Sequence, residues 1–164
     1  MILEYCQYKF PIMGKITLIA NQHSLVKISL TDEEWRDYRQ KHSVSENCNS
    51  HLFSNTVQQL EEYFNGKRME FQLPIKFNGT EFQQKVWRGL QMIPYGQTWS
   101  YSDLAQVIQN EKAVRAVGQA NRVNPLPIII PCHRVIGKNK QLTGYAGSRT
   151  DLKAKLLYLE AKTK

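Results

Sequence analysis

From Ile2 to Leu30 the apolar positions come in short β-prone runs, ILEYCQYKF, KITLIA and LVKISL, separated by the turn-rich PIMG and NQHS. That alternation of runs and turns predicts an antiparallel meander. MEFQL, Met69 to Leu73, is expected to complete the sheet as a further strand. Between them Phe53, Val57, Leu60 and Phe64 recur at helical spacing, and Gly66 follows where a C-terminal cap belongs. This predicts a helix packed on the sheet. The polar stretch from Lys41 to Ser50 reads as a connecting loop, and no internal repeat or low-complexity tract interrupts the chain.

After Pro74 the period becomes helical. Thr80 followed by Gln83 forms a capping box, and Phe82, Val86, Leu90 and Ile93 make an apolar stripe that stops at PYG. Ser100 is placed to cap a second helix that turns Leu104, Ala105 and Ile108 inward. Asn110, Glu111 and Lys112 then give a turn of the length found in helix-turn-helix units, ahead of AVRAVGQANR. In that third helix Ala113, Ala116, Gly118 and Ala120 are small, and Arg115 projects among them. Such a stripe suits close helix packing, or a smooth face pressed on a nucleic-acid backbone with one long cation entering the minor groove. Trp87 and Trp99 read as packing residues.

Composition adjusts this picture modestly. The 164 residues are 41% hydrophobic, enough for one domain or two small ones, and no apolar run is long enough to span a bilayer. MILEYCQYKF lacks the continuous apolar core of a signal peptide, so a cytoplasmic protein is expected. Three cysteines, Cys6, Cys48 and Cys132, are too few for a disulfide framework and cannot all pair, which favours a reducing compartment. The net charge of +8 points to a polyanionic partner or to a solvated basic surface.

The chemistry converges on PLPIIIPCHRVIG, Pro125 to Gly137, where three prolines bracket an isoleucine run that delivers Cys132 and His133 side by side. Neighbouring residues project in different directions, which fits poorly with a cysteine hydrolase. Cys6, His23, Cys48 and His51 are too scattered for a zinc module, so no metal is expected. Together FNGTEFQQKVWRGLQMIPYGQTWSY, AVRAVGQANRVNPLPIIIPCHRVIG and LTGYAG resemble the catalytic domain of the O6-alkylguanine-DNA alkyltransferases over roughly Phe77 to Glu160. The chain departs from the family pattern at Ser148 to Asp151, SRTD, where it runs one residue longer.

The resemblance implies an α/β protein. A small N-terminal antiparallel-sheet-plus-helix domain, residues 1–73, precedes a mainly helical winged-helix/helix-turn-helix-like catalytic domain, residues 74–164. It implies irreversible transfer of an alkyl group from O6 of guanine, with O4-alkylthymine as a second lesion, onto Cys132, without cofactor or obligatory protein partner and as a monomer. In the same terms His133 is the base acting through a bridging water and Glu160 its orienting carboxylate. Arg115 fills the vacated base stack, and Tyr101, Ala113, Ala116 and Gly118 lie against the DNA. Tyr145, Ala146, Val135 and the hinge residue Asn124 form the pocket. A protein that binds alkylguanine without chemistry and recruits repair factors is the competing reading, and a transcriptional regulator a third. The presence of Cys132 separates the enzyme from the first of these.

Overall fold

The computed structural model describes residues 2–137 and 150–163. The chain divides into two compact units, the first running to Phe77 and the second starting at Asn78.

In the first unit the three apolar runs become β1 (Leu3–Phe10), β2 (Gly14–Ala20) and β3 (Leu25–Ser29), paired antiparallel as expected. Two elements were not foreseen. TDEEWRDYRQK contains α1 (Asp32–Lys41), started by Thr31, whose hydroxyl accepts the Glu34 amide, with acidic residues in the first turn and basic ones in the last. Within the expected loop, β4 (Val44–Glu46) pairs in parallel with β1, so the sheet order is β3-β2-β1-β4. Cys6 on β1 and Cys48 just beyond β4 are joined by a disulfide, so two of the three cysteines pair.

MEFQL is not a strand. The side chain of Gln59, on α2 (His51–Phe64), satisfies the backbone there instead: its Nε2 donates to the Gln72 carbonyl at 3.1 Å, and its Oε1 accepts the Gln72 amide at 2.9 Å. With both backbone groups of Gln72 so engaged, the segment has no need of a ladder. Just beyond it Ile75 forms an isolated parallel bridge with Leu25 of β3.

Successive strand residues face opposite ways. Tyr5 and Ile19 pair on one face under Trp35 of α1, the Tyr5 and Trp35 ring centroids 4.5 Å apart. Phe10, of the other parity on β1, meets Phe64 of α2 at 5.3 Å. The sheet is thus covered on both sides.

The second unit holds α3 (Glu81–Leu90), β5 (Trp99–Ser100), α4 (Tyr101–Val107), α5 (Val114–Arg122), a single 3₁₀ turn (Cys132–Arg134), β6 (Val135–Ile136) and α6 (Thr150–Thr163). The Thr80–Gln83 capping box forms as anticipated, and Ser100 makes a second with Asp103. Both fix where a helix begins, and Ser100 also ends β5, which pairs in parallel with β6 through Trp99–Val135 and Ser100–Ile136. Trp87 is buried with its indole N–H on the Ala120 carbonyl at 2.9 Å, tying α3 to α5. Gly79 lies under the same ring: a Cβ there would come within 2.7 Å of it.

Candidate active site

The proline-rich segment after α5 is neither helix nor buried strand. Ile128 takes φ +76°, a left-handed conformation costly for a β-branched residue, and it does so fully buried. Asn124 holds the segment in this shape. Its Nδ2 donates to the Ile130 carbonyl at 2.8 Å and its Oδ1 accepts the Leu126 amide at 3.0 Å, so one side chain spans the bend. The isoleucines supply buried anchorage, and the bend delivers Cys132 into the 3₁₀ turn, where it is 1% exposed and outside the disulfide. Asn121, buried on α5, reaches the Cys132 carbonyl at 3.5 Å.

Cys132 and His133 occupy consecutive positions of that turn, and α6 packs against it. Glu160, on the buried face of α6, accepts from His133 Nε2 at 2.7 Å, both side chains being essentially inaccessible. A carboxylate on Nε2 fixes the tautomer with its proton there and leaves Nδ1 as the basic nitrogen. Arg134 forks onto the same carboxylate, Nε to Oε1 at 2.9 Å and Nη2 to Oε2 at 3.0 Å. Its Nη1 donates to the Ile93 carbonyl at 2.7 Å, and its guanidinium lies 5.6 Å from the Tyr95 ring centroid. The Gly96 amide adds a further donor to Oε1 at 3.1 Å. The stop at PYG therefore does more than end α3, because it brings a carbonyl, a ring and an amide to the carboxylate cluster.

The electrostatics follow from this packing. Burial alone would raise the Glu160 carboxyl, but the hydrogen bonds and charges of His133 and Arg134 outweigh it and hold the group well below the usual carboxylate range. For His133 burial dominates: it pushes the imidazole below its ordinary value, against the pull of Glu160 and with the help of Arg134 and Lys153. His133 is thus a neutral ring at rest, able to take a proton. Lys153 of α6, with no exposed surface, donates from Nζ to the Val135 carbonyl, and burial brings its pKa down to about 8 against the opposing charge of Cys132.

On α5, Arg115 and Ala116 are exposed, whereas Val117 and Ala120 are buried. Ala113 and Gly118 are half-buried, and a Cβ on Gly118 would sit 3.9 Å from the ring of Tyr101, itself half-buried at the start of α4. Of the proposed pocket residues, Val135 is fully buried in β6 beside the 3₁₀ turn, and Asn124 spans the preceding bend. Tyr145 and Ala146 lie outside the described residues.

Two family models match the chain: 6-O-methylguanine DNA methyltransferase, ribonuclease-like domain, over residues 3–77, and 6-O-methylguanine DNA methyltransferase, DNA binding domain, over residues 81–162. The chain belongs to this family. Among its relatives is the constitutive methylated-DNA--protein-cysteine methyltransferase of Bacillus subtilis, 47% identical over 90% of each chain. The Mycobacterium tuberculosis O6-methylguanine methyltransferase crystal structure superposes with a TM-score of 0.90 at 39% identity, covering 99% of this chain and 95% of that one. A structure of the M. tuberculosis protein in complex with DNA gives 0.85 at 38% identity, covering 99% and 94%. The family's N-terminal sheet domain and helical C-terminal domain are the architecture expected from the sequence, with β4 as a parallel edge added to the antiparallel strands.

Sequence reading missed Arg134, Lys153 and Asn121. Arg134 stood in plain view within the PCHRV motif, but its partner is 26 residues away. The signal for Lys153 was its spacing: it lies seven positions before Glu160 and so on the same face of one helix.

Proposed function

We propose that this chain is a methylated-DNA–protein-cysteine methyltransferase. It reverses alkylation damage directly by moving the alkyl group from O6 of guanine in duplex DNA to its own Cys132, once per molecule. The observation that carries the reading is a buried thiol next in the chain to a buried imidazole whose Nε2 is fixed by Glu160. It is supported by the membership of the family and by relatives bearing that name.

The thiol proton passes through a bridging water to Nδ1 of His133, and Glu160 stabilises the imidazolium that results. The sulfur then attacks the alkyl carbon: an S–C bond forms as the C–O6 bond breaks, and the departing guanine, left negative, takes the proton back. The thioether has no route of reversal, so the protein is consumed. O6 is out of reach within a base stack, so the lesion is extruded, at a cost of about a few kcal/mol that is smaller for a poorly paired base. Arg115, exposed on α5, is the residue assigned to the vacated stack, and Ala113, Ala116 and Gly118 give α5 the low relief that a minor groove accepts. Tyr101 directs the flanking phosphate, and Val135, Asn124, Tyr145 and Ala146 shape the pocket. O4-alkylthymine, presenting a similar oxygen, is a second substrate. No helix among the described residues is long and apolar enough to cross a membrane.

The test is mass analysis after incubation with a duplex containing O6-methylguanine. One methyl increment on the peptide containing Cys132 is expected, with Cys132→Ala still binding the duplex. Lesion binding by the native protein without any increment would establish the non-catalytic sensor instead, and repeated turnover would exclude consumption of Cys132.

A further inference from the structure

Val117, Ala120 and Asn121, at i, i+3 and i+4, form the inward face of α5, and Asn121 is fully buried there. A buried amide costs free energy unless its donors and acceptor are met. Asn124, three residues on, meets that condition, its Nδ2 and Oδ1 binding backbone groups at 2.8 and 3.0 Å. Asn121 does not. Its Nδ2 reaches the Cys132 carbonyl only at 3.5 Å, and its Oδ1 is buried with no hydrogen-bond partner among the described residues. The carbonyl can only accept, so the amide keeps its NH2 toward Cys132 and its oxygen remains a fixed acceptor beside the 3₁₀ turn.

Proton transfer from Cys132 to His133 needs a water that is itself held. A buried water makes about three hydrogen bonds. One that joins the thiol to the imidazole has two of them, accepting from S–H and donating to Nδ1, so its second O–H still requires an acceptor. The carbonyls nearby are engaged: Ile130 accepts from the Cys132 amide and Asn124, Pro131 from the Arg134 amide, and Cys132 from the Val135 amide and Asn121.

We propose that Asn121 is a positioning residue for alkyl transfer: its Oδ1 accepts the second O–H of the water that joins Cys132 to His133. The thiol proton moves onto this water as the water's other proton moves onto Nδ1, leaving a thiolate and an imidazolium with no net change in protons. The O–H on Asn121 is the same before and after, a pivot about which the other two bonds exchange. Held there, the water has one proton free to leave, and it is the one aimed at Nδ1. Several charged groups surround the relay. Glu160, Arg134 and Lys153 are buried around the turn, whereas Glu81, Lys85 and Arg88 of α3, Asp103 of α4, Arg115 and Arg122 of α5 and Asp151 of α6 are exposed, and Tyr101 is half-buried.

The inference rests on Cys132 being the alkyl acceptor and His133 its base, and its test begins without DNA. Cys132 in the wild type and in Asn121→Leu, which keeps the size of the side chain and removes its oxygen, is alkylated with iodoacetamide across a pH series; Cys6 and Cys48, being bonded, do not compete. The variant is expected to react with a midpoint about one unit higher, with single-turnover repair about tenfold slower at neutral pH and recovering as pH rises. A merely structural role would lower the rate at every pH and leave the midpoint in place, which overturns the proposal. Because both residues act through one water, Asn121→Leu combined with His133→Ala should be no slower than His133→Ala alone, and additive losses also overturn it. Should the variants fail to fold, the wild type supplies a further measurement: one long-lived water is expected to cross-relax with both the Asn121 side-chain NH2 and the His133 Hε1 in NMR spectra. Absence of either contact overturns the proposal. Failure of the wild type to accept a methyl group from DNA would instead refute the alkyl-acceptor reading, with the water contacts unaffected.

Discussion

Glu160 receives more hydrogen bonds than orienting one histidine demands, and the surplus comes mainly from Arg134. The two partners act on His133 in opposite directions, the carboxylate favouring its protonation and the guanidinium opposing it. Arg134→Met should therefore raise the imidazole midpoint and Glu160→Gln should lower it, both measurable by NMR titration of the ring; shifts of the same sign would contradict the arrangement. Glu160→Gln also strands a buried guanidinium and is expected to cost roughly 3–5 kcal/mol in denaturant unfolding. Because the Glu160 carboxyl is held low, its contribution to stability is complete above the ordinary carboxylate range near pH 4.3 and is lost as the pH falls below it. The meeting of His133 with Glu160 beside Cys132 was legible in the sequence because a motif and a family resemblance carried it. Arg134 and Lys153 were not, because the burial of a charge depends on what another segment packs over it.

At the level of elements, legibility followed local chemistry. Thr80–Gln83 and Ser100 announced helix starts through hydrogen bonds made within a few residues, and these held. α1 escaped notice because Trp35 is its one fully buried residue, too little for a visible stripe. β4 was hidden because a parallel edge is recruited through backbone groups and leaves no pattern in the polar stretch that forms it. The α5 face carries its own expectation. Arg115→Ala should slow repair of duplex DNA markedly and leave reaction with free O6-alkylguanine base nearly unchanged, because the free base needs no extrusion. Equal loss on both substrates would make Arg115 a support of the fold. Asn124→Ala deprives the Ile130 carbonyl and the Leu126 amide of their partner inside a strained bend, and about 1–3 kcal/mol of stability should go with it, read from thermal or denaturant unfolding.

Over the whole molecule the net charge of +8 acts without regard to sequence. Affinity for undamaged duplex should fall steeply with added salt and vary little between sequences, because phosphate contacts release counterions and carry no base information. Filter-binding or anisotropy titrations at several ionic strengths decide this, and a salt-insensitive, sequence-selective interaction would point to a regulator. Charge alone could not distinguish that outcome in advance, since a solvated basic surface has the same composition as a binding one.

Glu160 follows His133 by 27 residues, on the helix that closes over the 3₁₀ turn. A ribosome therefore makes Cys132, the proposed acceptor, well before it makes the carboxylate that holds His133. Until α6 is complete the chain lacks the carboxylate that holds His133 Nε2. The ring of His133 is therefore oriented only in the finished chain, and a protein consumed by its reaction, as proposed, gains its reactive geometry last.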